Sequence, residues 1–334
     1  MARPVQKQSI YKIAQEAGVS ISAVSCAINN RPGLSDETRK RIAAIVDQAG
    51  YTRNYRRTDG RTIGMVLPGT WKDWYISAIV NGVIAYIAET NINIATIIYH
   101  PGHSKSLLEL LREHCCDAAV IVMASQIWNE IESLTKINIP VILTDARISH
   151  ANAVGYVDNN SYQGSYDLAK YLLGLGHRKI AFIGRNLHFC DQNNKARIDG
   201  WRNAMSESGV SDDELDRRLF HVNHSTAEIR ALQLKEKAFT AVMANDDNMA
   251  MICLCACHAM GIRVPEDLSV TGFSNMEGSE FFVPPLTTVD QKVSMVGYEA
   301  ARHAGELVTG KRTDLPSLVL PTELVIRESS GPVT

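Results

Sequence analysis

Residues 9–29 read SIYKIAQEAGVSISAVSCAIN. Ser9 can cap a helix, and Ile10, Ile13, Ala14 and Ala17 then recur at helical spacing on one face. Gly18 follows at once. A helix that stops and turns sharply needs a left-handed residue there, and glycine adopts that conformation most cheaply. Ser20 can cap a second helix whose apolar stripe is Ile21, Val24 and Ile28, leaving Ser22, Ala23, Ser25, Cys26 and Asn29 on its other faces. Two short helices across a tight turn, the second with an outer face of small residues, form a helix-turn-helix. Nothing bulky keeps that second helix out of a major groove. An ordinary helical hairpin uses the same caps and periodicity, but the next segment weighs against it. Ser35 can cap a third helix with Asp36 and Glu37 in its first turn, a buried stripe of Ile42, Ile45, Val46 and Ala49, and Gly50 as its stop.

Charge separates this head from the rest of the chain. Up to residue 61 there are 11 Lys and Arg against 5 acidic residues, which leaves 23 against 31 over the remainder of the 334 residues. A positive head on a negative body suits a chain that grips phosphate with one end only. Hydrophobic content of 45% and charged content of 21% are those of a globular protein with room for two or three domains. Residues 1–9 are polar and basic with no apolar run behind them, so no signal peptide is expected, and no apolar stretch is long enough to span a membrane. The odd count of 7 cysteines, mostly in apolar segments, fits reduced thiols in a cytoplasm rather than a disulfide frame.

From Thr62 the pattern changes. Short apolar runs at 63–68, 94–99, 118–123 and 140–145 alternate with helical stretches at 77–89, 105–114 and 127–136. Alternation of this kind means βαβ units and a parallel sheet. It resumes after Asp158-Asn159 with helices near 162–175, 199–208 and 249–260 and strands near 176–184, 240–246 and 268–273. A last helix near 295–307 precedes a closing strand pair at 318–329. The expectation is two similar α/β lobes with a ligand cleft between them. The first lobe takes about 62–157 plus 288–317, and the second about 158–287 plus 318–330.

These residues resemble a known family. Residues 10–29, then LSDETRKRI (34–42), the Gly50-Tyr51 pair and Asn54 are similar to the headpiece of the lac repressor/galactose repressor (LacI/GalR) family of bacterial transcription regulators. The likeness continues through VDNNSYQGSYDLAKYLLGLGHRKIAFIG, ARIDGWRNAM, AVMANDDNMA, GIRVPEDLSVTGFSN, PPLTTVDQ and LPTELVIRES. The resemblance implies a small all-α helix-turn-helix headpiece over residues 1–61, short linker included, followed by a two-lobed, periplasmic-binding-protein-like effector and dimerisation domain over 62–334. It implies a homodimer reading a roughly palindromic double-stranded operator, controlled by a small-molecule effector, with a sugar or sugar derivative favoured. No membrane, cofactor or metal is implied. A periplasmic sugar receptor shares the fold and is the rival reading, but it needs an export signal and no DNA-binding head.

The DNA-contacting set is then Ser9, Ile21, Ser22, Ala23, Ser25, Cys26, Asn29, Arg31, Arg53, Asn54, Tyr55 and Arg56. Cys26 stands where many relatives carry a base-reading arginine, and a thiol makes no bidentate contact with guanine. The linker also departs from the family. Eight residues, YRRTDGRT, separate Asn54 from Ile63, with no leucine to wedge into a minor groove and a turn signal at Asp59-Gly60.

Ligands of open α/β sheets bind beyond the carboxyl ends of the strands. The residues there give the effector set: Trp71, Trp74 and Tyr75 after the first strand, Ser125 after the third, Asp145 after the fourth, Asn223 after LFHV, and Asp246 in ANDD. Aromatic faces stack on sugar rings, although Trp74 and Tyr75 also suit a helix-start core. Arg197 of ARIDGW stands where the resemblance implies a ligand-contacting arginine. Ser274 replaces the carboxylate of the family's Gly-Phe-Asp pattern. Cys253, Cys255, Cys257 and His258 look like metal ligands, but on a helix Cys255 points away from the other two cysteines and cannot complete a tetrahedral site. No GxSxG, P-loop, HExxH or GxGxxG motif occurs, so no catalytic constellation is expected.

Overall fold

The headpiece is built from three helices in the computed structural model, which describes residues 10–28, 34–48, 61–69, 74–100, 102–124, 139–147, 154–184, 192–223, 225–232, 234 and 238–333. They are α1 (Ile10–Ala17), α2 (Ile21–Ile28) and α3 (Asp36–Gln48). Gly18 takes φ +63° at the turn. Ser20 Oγ accepts the Ala23 N–H at 3.2 Å and Ser35 Oγ accepts the Thr38 N–H at 3.3 Å, so both expected caps form. Ile13, Ala14, Ala17, Val24 and Ile42 make one buried core, with Ala27, Ile45 and Val46 against it. Ile21 differs from the expected stripe. It is 41% exposed, because Val24 and Ala27 carry the α2 contact. Ala49 and the side chains of Ile10 and Ile28 lie outside the described residues.

The first lobe contains β1 (Thr62–Pro68), α4 (Trp74–Ala88), β2 (Asn93–Tyr99), α5 (Leu107–Glu113), β3 (Ala118–Ile121), β4 (Val141–Leu143) and β5 (Val154–Asn159). The helix expected at 127–136 lies outside the described residues. The second lobe contains α6 (Ser161–Gly174), β6 (Ile180–Gly184), α7 (Gln192–Glu207), α8 (Asp212–Arg218), β7 (Leu219–His221), α9 (Thr226–Ala231), β8 (Ala241–Ala244), α10 (Asp247–Ala259) and β9 (Ser269–Thr271). The remaining elements are β10 (Thr288–Asp290), α11 (Val293–Thr309), β11 (Ser317–Leu320) and β12 (Glu323–Val325).

The first sheet runs β11-β5-β4-β3-β1-β2 and the second β7-β6-β8-β9, with every neighbouring pair parallel. A parallel sheet is covered on both faces, which is why its strands read as unbroken apolar runs. In β1, Ile63, Met65 and Leu67 face a core shared with α4 and α11, while Val66 faces the α5 side. Glycines allow the closest helix contacts. A Cβ on Gly82 of α4 would lie 1.8 Å from the Ser294 carbonyl oxygen of α11, and one on Gly297 would lie 2.0 Å from that of Ile79.

The chain crosses between the lobes after Asn159, after Gln291 and after Leu320. The sequence reading placed the later crossings near Thr288 and Leu318. In the structure β10 bridges to the second lobe through Thr271–Thr287 and Ser274–Asp290, and all of β11 pairs with β5. The expected closing pair at 318–329 is likewise divided, since β12 pairs antiparallel with β10 instead of with β11. The tail beyond β12 is pinned to the second lobe. Ser329 accepts the Val270 N–H at 2.8 Å, and buried His177 donates from Nε2 to the Gly331 carbonyl at 2.9 Å.

Candidate functional site

Both lobes line a cleft. Trp74, Tyr75, Met123 and Asp145 come from the first, and Asn194, Arg197, Asp246, Asp247, Asn248, Ser274 and Met276 from the second. Each belongs to a segment that follows the carboxyl end of a strand, where open α/β sheets expose backbone ends to a ligand. The backbone is strained here. Met123, Asp145 and Ser274 have φ of +53°, +61° and +131°, in a region costly for side chains other than glycine.

Arg197 lies in the second turn of α7, which begins seven residues before the expected start. It is buried, and its guanidinium stacks 4.5 Å from the Phe273 ring centroid. Nη1 donates to the Asn245 backbone carbonyl at 2.8 Å. Nε is buried with no hydrogen-bond partner among the described residues, and so is Oδ1 of Asn245. An unmet buried polar atom costs about 1–3 kcal/mol. A buried arginine donor left without a partner is suited to an accepting oxygen such as a hydroxyl.

The carboxylates are engaged within the protein. Asp246 caps α10 by accepting the Met249 N–H at 2.8 Å. Asp247 is fully buried and accepts from the Thr288 hydroxyl at 2.5 Å and the Met276 N–H at 2.7 Å, and burial pushes its carboxyl up to about 6. Asp145 accepts from the Asn193 side-chain amide at 2.7 Å. Asn193 reaches Asp158 as well, at 3.2 Å, and Asp158 is ion-paired to Arg147 at 2.9 Å.

Trp74 and Tyr75 fall in the first turn of α4, which starts earlier than the sequence suggested. They pack on the first-lobe core and line the cleft at once, so the two readings of these aromatics are compatible. Ser274 donates to Gln291 Oε1 at 2.8 Å, and Gln291 Nε2 donates to Asn159 Oδ1 at 3.2 Å. A side chain of the cleft is thereby bonded to two of the lobe crossings.

Of the expected effector set, Trp74, Tyr75, Asp145, Arg197, Asp246 and Ser274 are brought together, while Trp71 and Ser125 lie outside the described residues. Asn223 does not join them. It is exposed after β7, its backbone N–H and its side-chain amide held by Glu228 at 2.6 and 3.1 Å. The sequence reading passed over Asn194, Asp247, Asn248, Met123 and Met276, and the Asn193–Asp158 connection. Asp158 ends β5, so the strand-end rule reaches it, but Asp158-Asn159 looked only like a boundary. Asn193 and Asn194 belong to a first turn of α7 that carries no apolar stripe.

On the headpiece, Ser22 is exposed with its hydroxyl 2.9 Å from that of Ser20, and Ala23 and Cys26 are half-buried. Ser9, Asn29, Arg31, Arg53, Asn54, Tyr55, Arg56 and the side chain of Ser25 lie outside the described residues. In α10, Cys253 and Cys257 are buried in the second-lobe core and Cys255 is exposed on another face. Burial raises both buried thiols, Cys257 to about 11. Among the described residues no helix is long and apolar enough to cross a membrane.

Residues 9–54 match the family described as bacterial regulatory proteins, lacI family, and residues 169–330 match a periplasmic binding protein-like domain. The chain is 33% identical to the HTH-type transcriptional regulator DegA of Bacillus subtilis, over 98% of this chain and 99% of that protein. It is 29% identical to the HTH-type transcriptional repressor PurR of Vibrio vulnificus, over 96% of this chain and 98% of that protein. Among solved structures it is similar to the transcriptional regulator CelR–cellobiose complex, with a TM-score of 0.67, 27% identity, and coverage of 98% of this chain and 100% of that one.

Proposed function

The chain belongs to the lacI family of bacterial regulatory proteins, and from that premise we propose that it is a cytoplasmic repressor whose hold on operator DNA is set by a sugar or sugar derivative bound between the two lobes. Residues 1–61 are the DNA-binding unit and 62–334 the effector and dimerisation unit. The observation that carries the effector reading is Arg197, which lines the cleft with its buried Nε unpartnered among the described residues. A ring hydroxyl can accept from that donor, and Trp74 offers an aromatic face. The similar regulator CelR is in complex with a carbohydrate, cellobiose, and the similar PurR is a repressor, which supports both parts of the reading.

The protein acts as a homodimer on a roughly palindromic site, since two headpieces related by a two-fold axis read two half-sites.

A thermal-shift screen of sugars, nucleobases and organic acids tests the effector class, because a bound ligand raises the melting temperature by mass action. A sugar is expected to stabilise the protein, and Arg197→Ala to weaken its binding by about 2–4 kcal/mol. Stabilisation by nucleobases or acids alone would remove the sugar reading. Unchanged sugar affinity in Arg197→Ala would return that residue to a structural role.

A further inference from the structure

The first turn of α7 reads QNN at 192–194, three amide side chains in a row. Two of them cross to the first lobe. Gln192 Oε1 accepts the Arg147 backbone N–H at 3.1 Å, and Asn193 Nδ2 donates to Asp145 Oδ1 at 2.7 Å. The third, Asn194, stays within its own lobe and accepts from the Asn245 side-chain amide at 2.7 Å. Asn193 also reaches Asp158 Oδ1 at 3.2 Å, and the other oxygen of Asp158 is ion-paired to Arg147. Asn193, Asp145 and Asp158 are all buried, so water competes little for these bonds.

Held in this way, the lobes leave little room between them. The free volume of the cleft is about 70 Å³. Small-molecule sites usually run from about 300 to 1,000 Å³. Arg197 is buried in the same arrangement, and an effector hydroxyl that reaches Asp145 meets an oxygen already accepting from Asn193.

We propose that the first turn of α7 is an autoinhibitory latch: Gln192 and Asn193 hold the lobes too close for the effector, which binds only after Asn193 has let go of Asp145. The inference rests on the reading of the cleft as the effector site and adds a regulation to it. Asn193 and Arg197 stand four residues apart on one face of α7, so the latch and the arginine that meets the ligand move with one helix. A latched protein binds its ligand less tightly in proportion to the fraction of molecules that are unlatched. Loss of the latch therefore tightens binding even though it removes contacts. A purely structural role for Asn193 gives the reverse.

Amide hydrogen exchange and calorimetry on the full chain test this, with wild type, Asn193→Ala, Gln192→Ala and Arg197→Ala. Without added sugar, the Arg147 amide is expected to exchange at least about tenfold faster in Asn193→Ala than in wild type. Gln192, the acceptor of that amide, is intact in this variant, so faster exchange reports the lobes parting. The Val122 amide, bonded to the Val66 carbonyl within the first lobe at 2.9 Å, is expected to keep its rate. In calorimetry with glucose, ribose and cellobiose, Asn193→Ala and Gln192→Ala are expected to bind sugar at least about threefold more tightly than wild type. Gln192 is exposed, so its variant keeps the test sound if Asn193→Ala perturbs the fold. Sugar affinity unchanged or lowered in both latch variants overturns the latch, and so does unchanged Arg147 exchange in Asn193→Ala. Sugar affinity unaffected by Arg197→Ala overturns the cleft reading instead, and the exchange at Arg147 then decides the latch by itself.

Discussion

Asn193, on the first turn of α7 in the second lobe, donates its side-chain amide to Asp145 of the first lobe at 2.7 Å. The same amide reaches Asp158 at 3.2 Å, and both carboxylates are buried. Hydrogen bonds to ionised groups contribute more than neutral ones, and a buried carboxylate left unmet is costly. Asn193→Ala is therefore expected to lower unfolding free energy by about 1–3 kcal/mol in urea titration. Asn193→Asp sets a third negative charge among the two and is expected to destabilise more. Equal stability of the asparagine and aspartate forms would mean that this lobe contact carries no weight.

The Ser274 hydroxyl donates to Gln291 Oε1, which an aspartate cannot do. Ser274→Asp places two acceptors face to face unless the Gln291 amide turns over, and turning it withdraws Nε2 from Asn159. The substitution restores the family's pattern by sequence, yet it is expected to destabilise this protein by about 1–3 kcal/mol. Pairing it with Gln291→Glu is expected to make matters worse. A melting temperature unchanged or raised in Ser274→Asp would refute the argument.

Asp247 makes stability depend on acid in an unusual direction. Burial lifts its folded carboxyl to about 6, above the ordinary unfolded value near 4. Between those values the folded chain holds a proton that the unfolded chain has released. The contribution is fully present below the unfolded value and is lost as pH rises through about 6. Asp247→Asn removes it. Relative to wild type, the variant is expected to gain about 2–4 kcal/mol between pH 4 and pH 7. Denaturant unfolding at both pH values measures that gain, and parallel pH profiles would contradict the burial argument.

The linker prediction rests on sequence alone, since residues 49–60 lie outside the described residues. Arg53 is expected at phosphates, Arg56 and Arg57 along phosphates or in a narrow minor groove, and Tyr55 is the large wedge candidate in the sequence between Asn54 and Ile63. Little central bend in the operator is expected. Circular-permutation gel shifts that give a bend of about 40° or more, abolished by Tyr55→Ala and not by Arg56→Ala, would make Tyr55 a wedge.

Much of this molecule was legible in its residues. The headpiece followed from caps and a glycine, because Gly18, Ser20 and Ser35 act within one turn of where they stand. The two parallel sheets followed from apolar runs, because strands covered on both faces leave no alternation. The strand-end rule reached Asp145 and Asp246, and the family resemblance reached Ser274. What escaped depends on distant partners. The pairing of β11 with β5 and of β12 with β10 joins residues far apart in the chain. Asn193 looks like any polar helix-start residue until the first lobe brings two carboxylates to it. Asn223 was misplaced because a strand end qualifies a residue for the cleft only if its loop turns that way, and here Glu228 holds it at the surface.

The central claim is that a ligand at Arg197 controls DNA binding by the headpiece. The direct measurement is fluorescence anisotropy with operator DNA recovered by selection on the full-length protein, repeated with a saturating sugar that raises its melting temperature. Wild type is expected to change its DNA affinity when the sugar is added. Arg197→Ala is expected to bind the same DNA as wild type does without ligand, and to show no response to the sugar. A full response retained in Arg197→Ala, or no response in wild type to a sugar that stabilises it, would contradict the account.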